Sequence, residues 1–316
     1  MSAIATTPRP VVRALSADTR AALALAGAAL LWSGNFIAGR ALRHDIDPAT
    51  LNLLRWTLCL LIFLPWVGPK AWRCRQIVLR EWRLLCALGA SGIAAFHSLV
   101  YLALASTTAV NALLMLSLTP AAILLGAALT GGRRPSTVQW AGTLLSLAGA
   151  GILVTRGSLA AVAGLAGLGP VAGDLWMLLA VLLWTVYSLL LRRRPVDLPA
   201  DVALAASIVP ALLLLLPAVM LAPTVGPLVL TPRMLGALVY IALFASLLGF
   251  LLWSYGVSTL GPERAGQFVH LMPLFGAALA LLLLGESIVP VQWIGALCVL
   301  VGIALVNRQR NGLSKD

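Results

Sequence analysis

Leu30-Leu31-Trp32-Ser33 recurs as Leu182-Leu183-Trp184-Thr185, at a spacing of 152 residues (32 to 184). Further along, Leu118-Thr119-Pro120 matches Leu271-Met272-Pro273, and the spacing there is 153 residues (120 to 273). A nearly constant spacing across half of a chain is the signature of an internal repeat. The stretch around Trp32 and its copy around Trp184 therefore predict that the chain contains one structural unit twice.

The composition predicts that lipid is the main solvent of this unit. Of the 316 residues, 61% are hydrophobic and 10% are charged, whereas soluble domains average about 25% charged residues. The net charge of +12 does not indicate a nucleic-acid partner, because the basic residues lie in short loops and form no continuous patch. Such loops instead contact anionic lipid and set the orientation of membrane proteins.

Ten stretches are apolar and about as long as a membrane-spanning helix must be. The segment before them lacks the apolar core and cleavage site of a secretory signal, so we expect the first stretch to be a retained span. The predicted spans are residues 21–41, 50–67, 83–105, 109–130, 137–155, 173–192, 199–222, 233–256, 265–285 and 289–307.

The distribution of Lys and Arg predicts the orientation. Of 22 such residues, 17 lie on the side of the two termini, four lie on the other side, and Arg55 lies within a span. The positive-inside rule then places both termini in the cytoplasm and the multi-pass protein in the inner (plasma) membrane.

The predicted fold is an all-α integral membrane protein whose two five-helix repeats are inverted, because five spans reverse the direction of the chain. Inverted repeats around a midplane site are a construction used by transporters. The predicted segments are a cytoplasmic tail (1–20), the first repeat (21–156), a linker (157–172), the second repeat (173–307) and a second cytoplasmic tail (308–316).

Several motifs resemble the EamA type of the drug/metabolite transporter superfamily. The resemblance covers residues 21 to 307 and rests on Leu31-Trp32-Ser33-Gly34-Asn35-Phe36, on Pro48 followed by Arg55, on Ala109 to Pro120, and on Gly261-Pro262-Glu263-Arg264-Ala265 with the later Leu271-Met272-Pro273. In the family an acid often follows a glycine in both repeats. Here Gly285-Glu286 keeps that pattern, but Gly132-Arg133 does not. The resemblance implies alternating-access transport of small metabolites without a cofactor.

Arg55 is the one basic residue that we expect well inside a span. A charge there is costly, so it normally finds a partner or water. It could attract a carboxylate or phosphate group of the substrate. Alternatively it could snorkel outward or bond a helix end and shape the fold. Its repeat counterpart, Ser207, carries no charge.

The histidines within spans, His97 and His270, are candidates for proton titration or substrate contact, since the ordinary pKa of histidine lies near neutrality. They could instead be neutral groups that bond across helices. Trp32 and Asn35 share a broad helix face, and Trp184 and Tyr187 repeat that spacing. These four residues could line one cavity or pack helices together. Weaker cavity candidates are Tyr101, Asn111 and Gln267. Helix bends are expected at Pro120, Pro210, Pro217 and Pro273.

The sequence thus predicts a secondary transporter that exports amino acids or related neutral, zwitterionic or anionic solutes. No acidic residue lies in the middle of a predicted span, which argues against antiport of cationic drugs. The alternatives are a membrane scaffold without transport activity and an intramembrane enzyme. No paired acids, His-x-x-x-His motif or Gly-x-Ser-x-Gly motif supports the enzyme or a metal site. The expected partners are a small-molecule substrate and lipid, and the chain could be a monomer or a homodimer.

Overall fold

A computed structural model describes residues 15–42, 45–106, 112, 115–131, 135–158, 172–221, 231–284 and 289–308. These residues form helices and turns, with no strand in any of those ranges. The α-helices are α1 (Ala17–Leu42), α2 (Pro48–Arg73), α3 (Arg75–Arg80), α4 (Trp82–Leu88), α5 (Phe96–Ser106), α6 (Thr119–Leu129), α7 (Thr137–Thr155), α8 (Ala172–Leu191), α9 (Ala200–Leu221), α10 (Pro232–Tyr240), α11 (Gly249–Leu260), α12 (Pro262–Gly266), α13 (Leu271–Leu284) and α14 (Pro290–Arg308).

Eight helical stretches in the described part of the chain are long and apolar enough to cross a membrane. The predicted fourth and ninth spans are not among them. In the fourth, α6 is an apolar helix of 11 residues. The ninth is divided into α12, a 3-10 turn over Gln267–His270, and α13.

We call these two parts of the chain, the fourth and ninth predicted spans, the divided regions, because a turn interrupts each of them. Each contains a proline near the start of the helix that follows the turn. Pro120 occupies the first turn of α6, and Pro273 is the third residue of α13. Proline lacks a backbone N–H and fits the first helical turn better than the interior. Pro210 and Pro217, in contrast, lie inside the continuous helix α9.

Two π-helical segments occur at equivalent positions in the repeats. Gly89–Ala95 joins α4 to α5, and Ile241–Leu248 joins α10 to α11. The first has seven residues and the second has eight. This difference accounts for the change in repeat spacing from 152 to 153 (89 to 241, then 96 to 249). A π turn accommodates an extra residue without ending the helix, and such turns are frequent at functional sites.

The helices pack in a symmetric pattern: each of the following contacts between two helices has an equivalent contact between their counterparts in the other repeat. Helix α1 packs on α11 and α13, and its counterpart α8 packs on α5 and α6. Helix α2 packs on its own counterpart α9, and α7 packs on its counterpart α14. The repeats therefore interlock, and each one supplies part of the other's packing surface.

Four glycines bring α7 and α14 into close contact. A methyl group on Gly142 would lie 2.7 Å from the carbonyl oxygen of Gly302, and one on Gly149 would lie 2.6 Å from that of Gly295. In the other direction, a methyl group on Gly302 would lie 2.5 Å from the carbonyl oxygen of Gly142, and one on Gly295 would lie 2.8 Å from that of Gly149. Residue numbers rise along one helix as they fall along the other, so the two helices are antiparallel.

Ion pairs gather several helix ends at one end of the bundle, which we call the ion-paired end. They join the end of α2 to the start of α9, and they join α12 to the start of α1, to the end of α14 and to Arg192, which directly follows α8. The contacts are Lys70–Asp201 at 2.7 Å, Arg192–Glu263 at 3.2 Å, Arg264–Asp18 at 3.1 Å and Arg264 Nε to Asn307 Oδ1 at 2.9 Å. The beginning of the first helix and the end of the last therefore lie together.

Candidate functional site

Arg55 is fully buried between α1, α2, α5 and the second π segment. Its Nε donates to Ser246 Oγ at 2.8 Å, and its Nη1 donates to the Tyr101 hydroxyl at 2.8 Å. Ser246 itself donates to the carbonyl of Ile241 at 2.9 Å, within the π segment. Among the described residues, Nη2 of Arg55 has no hydrogen-bond partner and no carboxylate forms an ion pair with the guanidinium.

Asn35 connects this buried charge to a cavity. Its Oδ1 accepts from Arg55 Nη1 at 3.5 Å and from the Tyr101 hydroxyl at 3.3 Å. A guanidinium carries only donors, so the amide oxygen must face Arg55 and the amide nitrogen is turned the other way. The result is a hydrogen-bond donor at the cavity wall with a positive charge behind it.

The cavity in front of Asn35, which we call the Trp32 cavity, is narrow and mostly aromatic. It has room for about one water molecule in this conformation. Both repeats contribute to it. Its lining comprises Trp32, Asn35, Phe36, Phe96, His97, Val100, Leu116, Trp184, Val269 and Met272.

A second cavity, the Ser207 cavity, is lined by the repeat counterparts of the Arg55 cluster. Ser207 replaces Arg55, Tyr187 replaces Asn35 at the same spacing of 152, and Ser254 replaces Tyr101 at a spacing of 153 (101 to 254). Here Ser207 and Ser254, which are smaller than Arg55 and Tyr101, leave a small void instead of a filled cluster. Ser207 donates to the carbonyl of Ala203, whereas Ser254 Oγ is buried without a partner among the described residues.

Aromatic rings separate the two cavities. Trp184, which lines the Trp32 cavity, packs on Tyr187, which lines the Ser207 cavity, with ring centroids 5.0 Å apart. Phe250 contacts Trp32 at 5.9 Å and Tyr187 at 5.6 Å. Trp253 contacts Trp32 and Trp184 at 5.5 Å each. We call Trp32, Trp184, Tyr187, Phe250 and Trp253 the aromatic barrier.

The first π segment and the second contribute backbone groups next to this barrier. Trp32 Nε1 donates to the carbonyl of Ala245 at 2.9 Å, inside the second π segment. Asn52 Nδ2 donates to the carbonyls of Ile93 and Ala94 at 3.2 and 3.0 Å, inside the first. Carbonyls displaced from the regular α-helical pattern are therefore used to fix side chains on neighbouring helices.

His97 lies at the wall of the Trp32 cavity, and its ring contacts Trp56, Phe96 and Phe250. The carbonyls of Gly92 and Ile93 face this imidazole, but Nδ1 has no bond of normal geometry with any described residue. His97 and Asn35 are thus polar side chains in a mostly aromatic and aliphatic wall.

His270 lies elsewhere, against α7. Its Nδ1 is 2.6 Å from Ser146 Oγ, and its Nε2 is 2.8 Å from the carbonyl oxygen of Ser117. Gln267 Nε2 donates to Thr143 Oγ1 at 2.9 Å on the same helix. Ser117 is the repeat counterpart of His270 (117 to 270), so this contact joins the two divided regions of the fold.

The structure thus brings Trp32, Asn35, Arg55, His97, Tyr101, Trp184 and Tyr187 into one connected region, whereas Gln267 and His270 bond to α7. Asn111 lies outside the described residues. Sequence reasoning missed Ser246, Phe96, Phe250 and Trp253. The repeat spacing offered a signal for Phe250, because it is the counterpart of His97 (97 to 250). No group of three or more potential metal ligands occurs in the described part of the chain.

The model of the EamA-like transporter family matches residues 19–155 and again residues 171–308. The chain belongs to the EamA-like transporter family. A family member of this kind is a multi-pass membrane protein that carries a small-molecule substrate. The double match agrees with the repeat visible in the sequence around Trp32 and Trp184.

The chain is similar, along nearly its whole length, to proteins that are named as transporters. An uncharacterized transporter from Archaeoglobus fulgidus is 25% identical over 294 residues, which cover 93% of this chain and 99% of that protein. A probable terminal-alkyne amino-acid exporter from Streptantibioticus cattleyicolor is 26% identical, with 94% and 97% covered. The uncharacterized transporter YdeK from Bacillus subtilis is 29% identical, with 88% and 91% covered.

A solved crystal structure has the same fold. It superposes with a TM-score of 0.73 at 22% identity and covers 92% of this chain and 98% of the other.

Proposed function

We propose that this chain is a secondary transporter that exports amino acids or related neutral, zwitterionic or anionic solutes by alternating access across the inner membrane. The observation that carries the proposal is the aromatic barrier between two cavities that repeat-equivalent residues line. A barrier in this position lets one cavity open while the other stays closed.

The proposal includes ten membrane segments in two inverted repeats. The fourth and ninth segments would be the divided regions that contain α6 and α13. Supporting the inversion, Gly142 contacts Gly302 while their respective repeat counterparts, Gly295 and Gly149, contact each other. A self-complementary contact of this kind has two-fold symmetry. In an antiparallel pair the axis is perpendicular to the helices, so the repeats would face opposite sides of the membrane.

The orientation follows from charge. The ion-paired end would be cytoplasmic, because the basic loops around Lys70 and Arg192 belong to it and basic residues favour the cytoplasmic side. Both termini would then be cytoplasmic as well, since Asp18 and Asn307 both bond to Arg264.

The solute class follows from the wall of the Trp32 cavity. Asn35 offers a donor and Arg55 supplies an uncompensated positive charge 3.5 Å behind it. Among the described residues that line this cavity, none is Asp or Glu. An acceptor group such as a carboxylate would match the donor, while aromatic rings would cover an apolar body. The amino-acid exporter among the similar proteins supports both this class and the direction.

A test is transport into liposomes that contain the purified protein. We expect amino acids to exchange across the bilayer and cationic dyes to remain where they are. Movement of the dyes alone would overturn the proposed solute class. An empty-vesicle control and the transport-deficient Arg55→Met variant would separate transport from leakage through the lipid.

The second candidate function is a membrane scaffold without transport activity. The specific observation in its favour is the small size of both cavities, each with room for about one water molecule in this conformation. A scaffold would keep the barrier closed at all times. Hydrogen exchange or thiol labelling that never reached the barrier would favour it.

A further inference from the structure

We propose that Arg194, Tyr187 and Ser254 form a second binding site at the ion-paired end, which takes the carboxylate of a small organic acid before it reaches the aromatic barrier. The site lies at the mouth of the Ser207 cavity, which has room for about one water molecule in this conformation and would have to widen to admit the acid. It rests on the proposed transport function for its physiological solute. Its existence can be tested without any transport measurement.

The first support is that a surface groove adjoins the Ser207 cavity. A groove of about 750 Å³ at the ion-paired end is lined by Leu191, Arg192, Arg194, Ser258 and Glu263 among others. Leu191 also lines the Ser207 cavity. The cavity and the groove therefore meet at one side chain, and Ser254 lies one helical turn from Ser258 on α11.

The second support is an unsatisfied polar group in this cavity. Ser254 is 5% exposed, and its Oγ has no partner among the described residues. It lines the Ser207 cavity together with Tyr187. A buried hydroxyl without a partner is costly, and a ligand that accepts its hydrogen bond would remove that cost.

The third support is the charge at the mouth. Arg194 follows α8, and its Nη1 donates to the carbonyl of Leu198. Its Nε is buried without a partner in the described part of the chain. Arg194 lines the groove together with Leu191, and Leu191 in turn lines the Ser207 cavity with Tyr187 and Ser254. A guanidinium with a free donor at the mouth of a cavity that contains two hydroxyl groups supplies the donors that carboxylate recognition uses.

Neighbouring charges do not cancel that of Arg194. Glu263 is paired with Arg192 at 3.2 Å, and Asp201 is paired with Lys70 at 2.7 Å. Asp201 acts on Arg194 only at longer range. The groove therefore keeps one excess positive charge, which attracts anions toward the Ser207 cavity.

The comparison of the two repeats shows why space is left at this site. The counterpart cluster is filled by the Arg55 guanidinium, whereas Ser207 leaves the equivalent space open. The chain thus places one cation behind the Trp32 cavity and the other at the mouth of the Ser207 cavity. A carboxylate would meet a guanidinium on each side of the aromatic barrier.

The test uses the full-length protein with its four cysteines replaced and Ser254→Cys added as a reporter. We measure the rates at which an anionic and a cationic methanethiosulfonate reagent modify this thiol in inside-out vesicles, each relative to a free small thiol. We expect the anionic reagent to be favoured about tenfold. Arg194→Gln should remove this preference, and Arg194→Lys should retain it.

The matched control is Arg193→Gln, because Arg193 is exposed and lines a different groove with Thr130 and Gly131. It should leave the preference unchanged. Sodium isovalerate should slow the modification of Cys at position 254, and isovaleramide, its neutral analogue, should not. Protection by both compounds would replace the carboxylate with an apolar ligand and overturn the proposal.

Equal modification by the two reagents in the presence of Arg194 would also overturn it. So would a reporter that never reacts while Ser258→Cys, in the groove, reacts readily. If the protein transports solute but shows no charge preference, the second binding site is refuted and the proposed function stands. If it shows the preference but does not transport solute, the site stands and the proposed function is refuted.

Discussion

Replacing Gly149 by alanine should destabilise the protein, while the same change at Gly151 should not. The two glycines lie two residues apart on α7, so they share the helix and the same membrane depth. A methyl group on Gly149 would lie 2.6 Å from the carbonyl oxygen of Gly295 and 2.8 Å from the backbone nitrogen of Val299. At Gly151 it would meet no atom within 4 Å.

The magnitude follows from this geometry. A normal contact needs at least about 3.4 Å, so α14 would have to move away by roughly 0.8 Å, because backbone atoms cannot yield locally as a flexible side chain can. Overpacking of this kind costs about 1–3 kcal/mol. At Gly151 the open space leaves only the gain in helix propensity, about 1 kcal/mol in the opposite direction.

The assay is thermal unfolding of the detergent-solubilised protein, with the loss of monodisperse protein followed by size-exclusion chromatography. We expect Gly149→Ala to lower the midpoint temperature and Gly151→Ala to leave it unchanged or raise it. If Gly149→Ala is as stable as Gly151→Ala, then α7 and α14 do not pack through these glycines, and the two-fold contact between the repeats is wrong.

Three further changes test the site. Arg55→Met should abolish solute transport yet leave a folded protein, because its removal leaves no described carboxylate buried without an ion-pair partner; aggregation on purification would instead assign Arg55 a structural role. Trp184→Ala should weaken the aromatic barrier and raise the passive leak of small solutes from liposomes, whereas Trp66→Ala, on the exposed surface, should not; equal leaks would remove the barrier role. His270→Ala should lower thermal stability by about 1–3 kcal/mol, because the buried hydrogen bonds of the imidazole to Ser146 Oγ and to the Ser117 carbonyl are lost, and should leave the pH dependence of transport unchanged; an altered pH profile would assign His270 to coupling.

The sequence predicted the elements that depend on regular patterns. Apolar stretches of sufficient length identified most spans, since lipid tolerates few polar residues. The repeat around Trp32 and Trp184 identified the counterpart helices before their packing was known. Pro120 and Pro273 lie in the two divided regions, and the helix bends expected at them and at Pro210 and Pro217 stay a prediction. The 3-10 turn over Gln267–His270 could not be predicted, because it depends on bonds to α7 that are distant in sequence.

The candidate site could be predicted from the sequence only in part. Helical spacing placed Trp32 with Asn35, and Trp184 with Tyr187, but spacing gives no information about which helices meet. Ser246 contacts Arg55 from 191 residues away, and no local pattern indicates that bond. The π segments also leave no signature in composition, yet they present the carbonyls that hold Trp32 and Asn52. Long-range packing, rather than local propensity, decides these contacts.

Two-sided thiol labelling is the most direct test of the claim that the two cavities open to opposite faces of the membrane. The reporters are Phe36→Cys in the Trp32 cavity and Ser254→Cys in the Ser207 cavity, each in a background without native cysteines and probed with a membrane-impermeant maleimide. We predict modification of position 36 only from the periplasmic side, in intact cells, and of position 254 only from the cytoplasmic side, in inside-out vesicles. Modification of both positions from the same side would contradict the inverted arrangement and the transport cycle built on it.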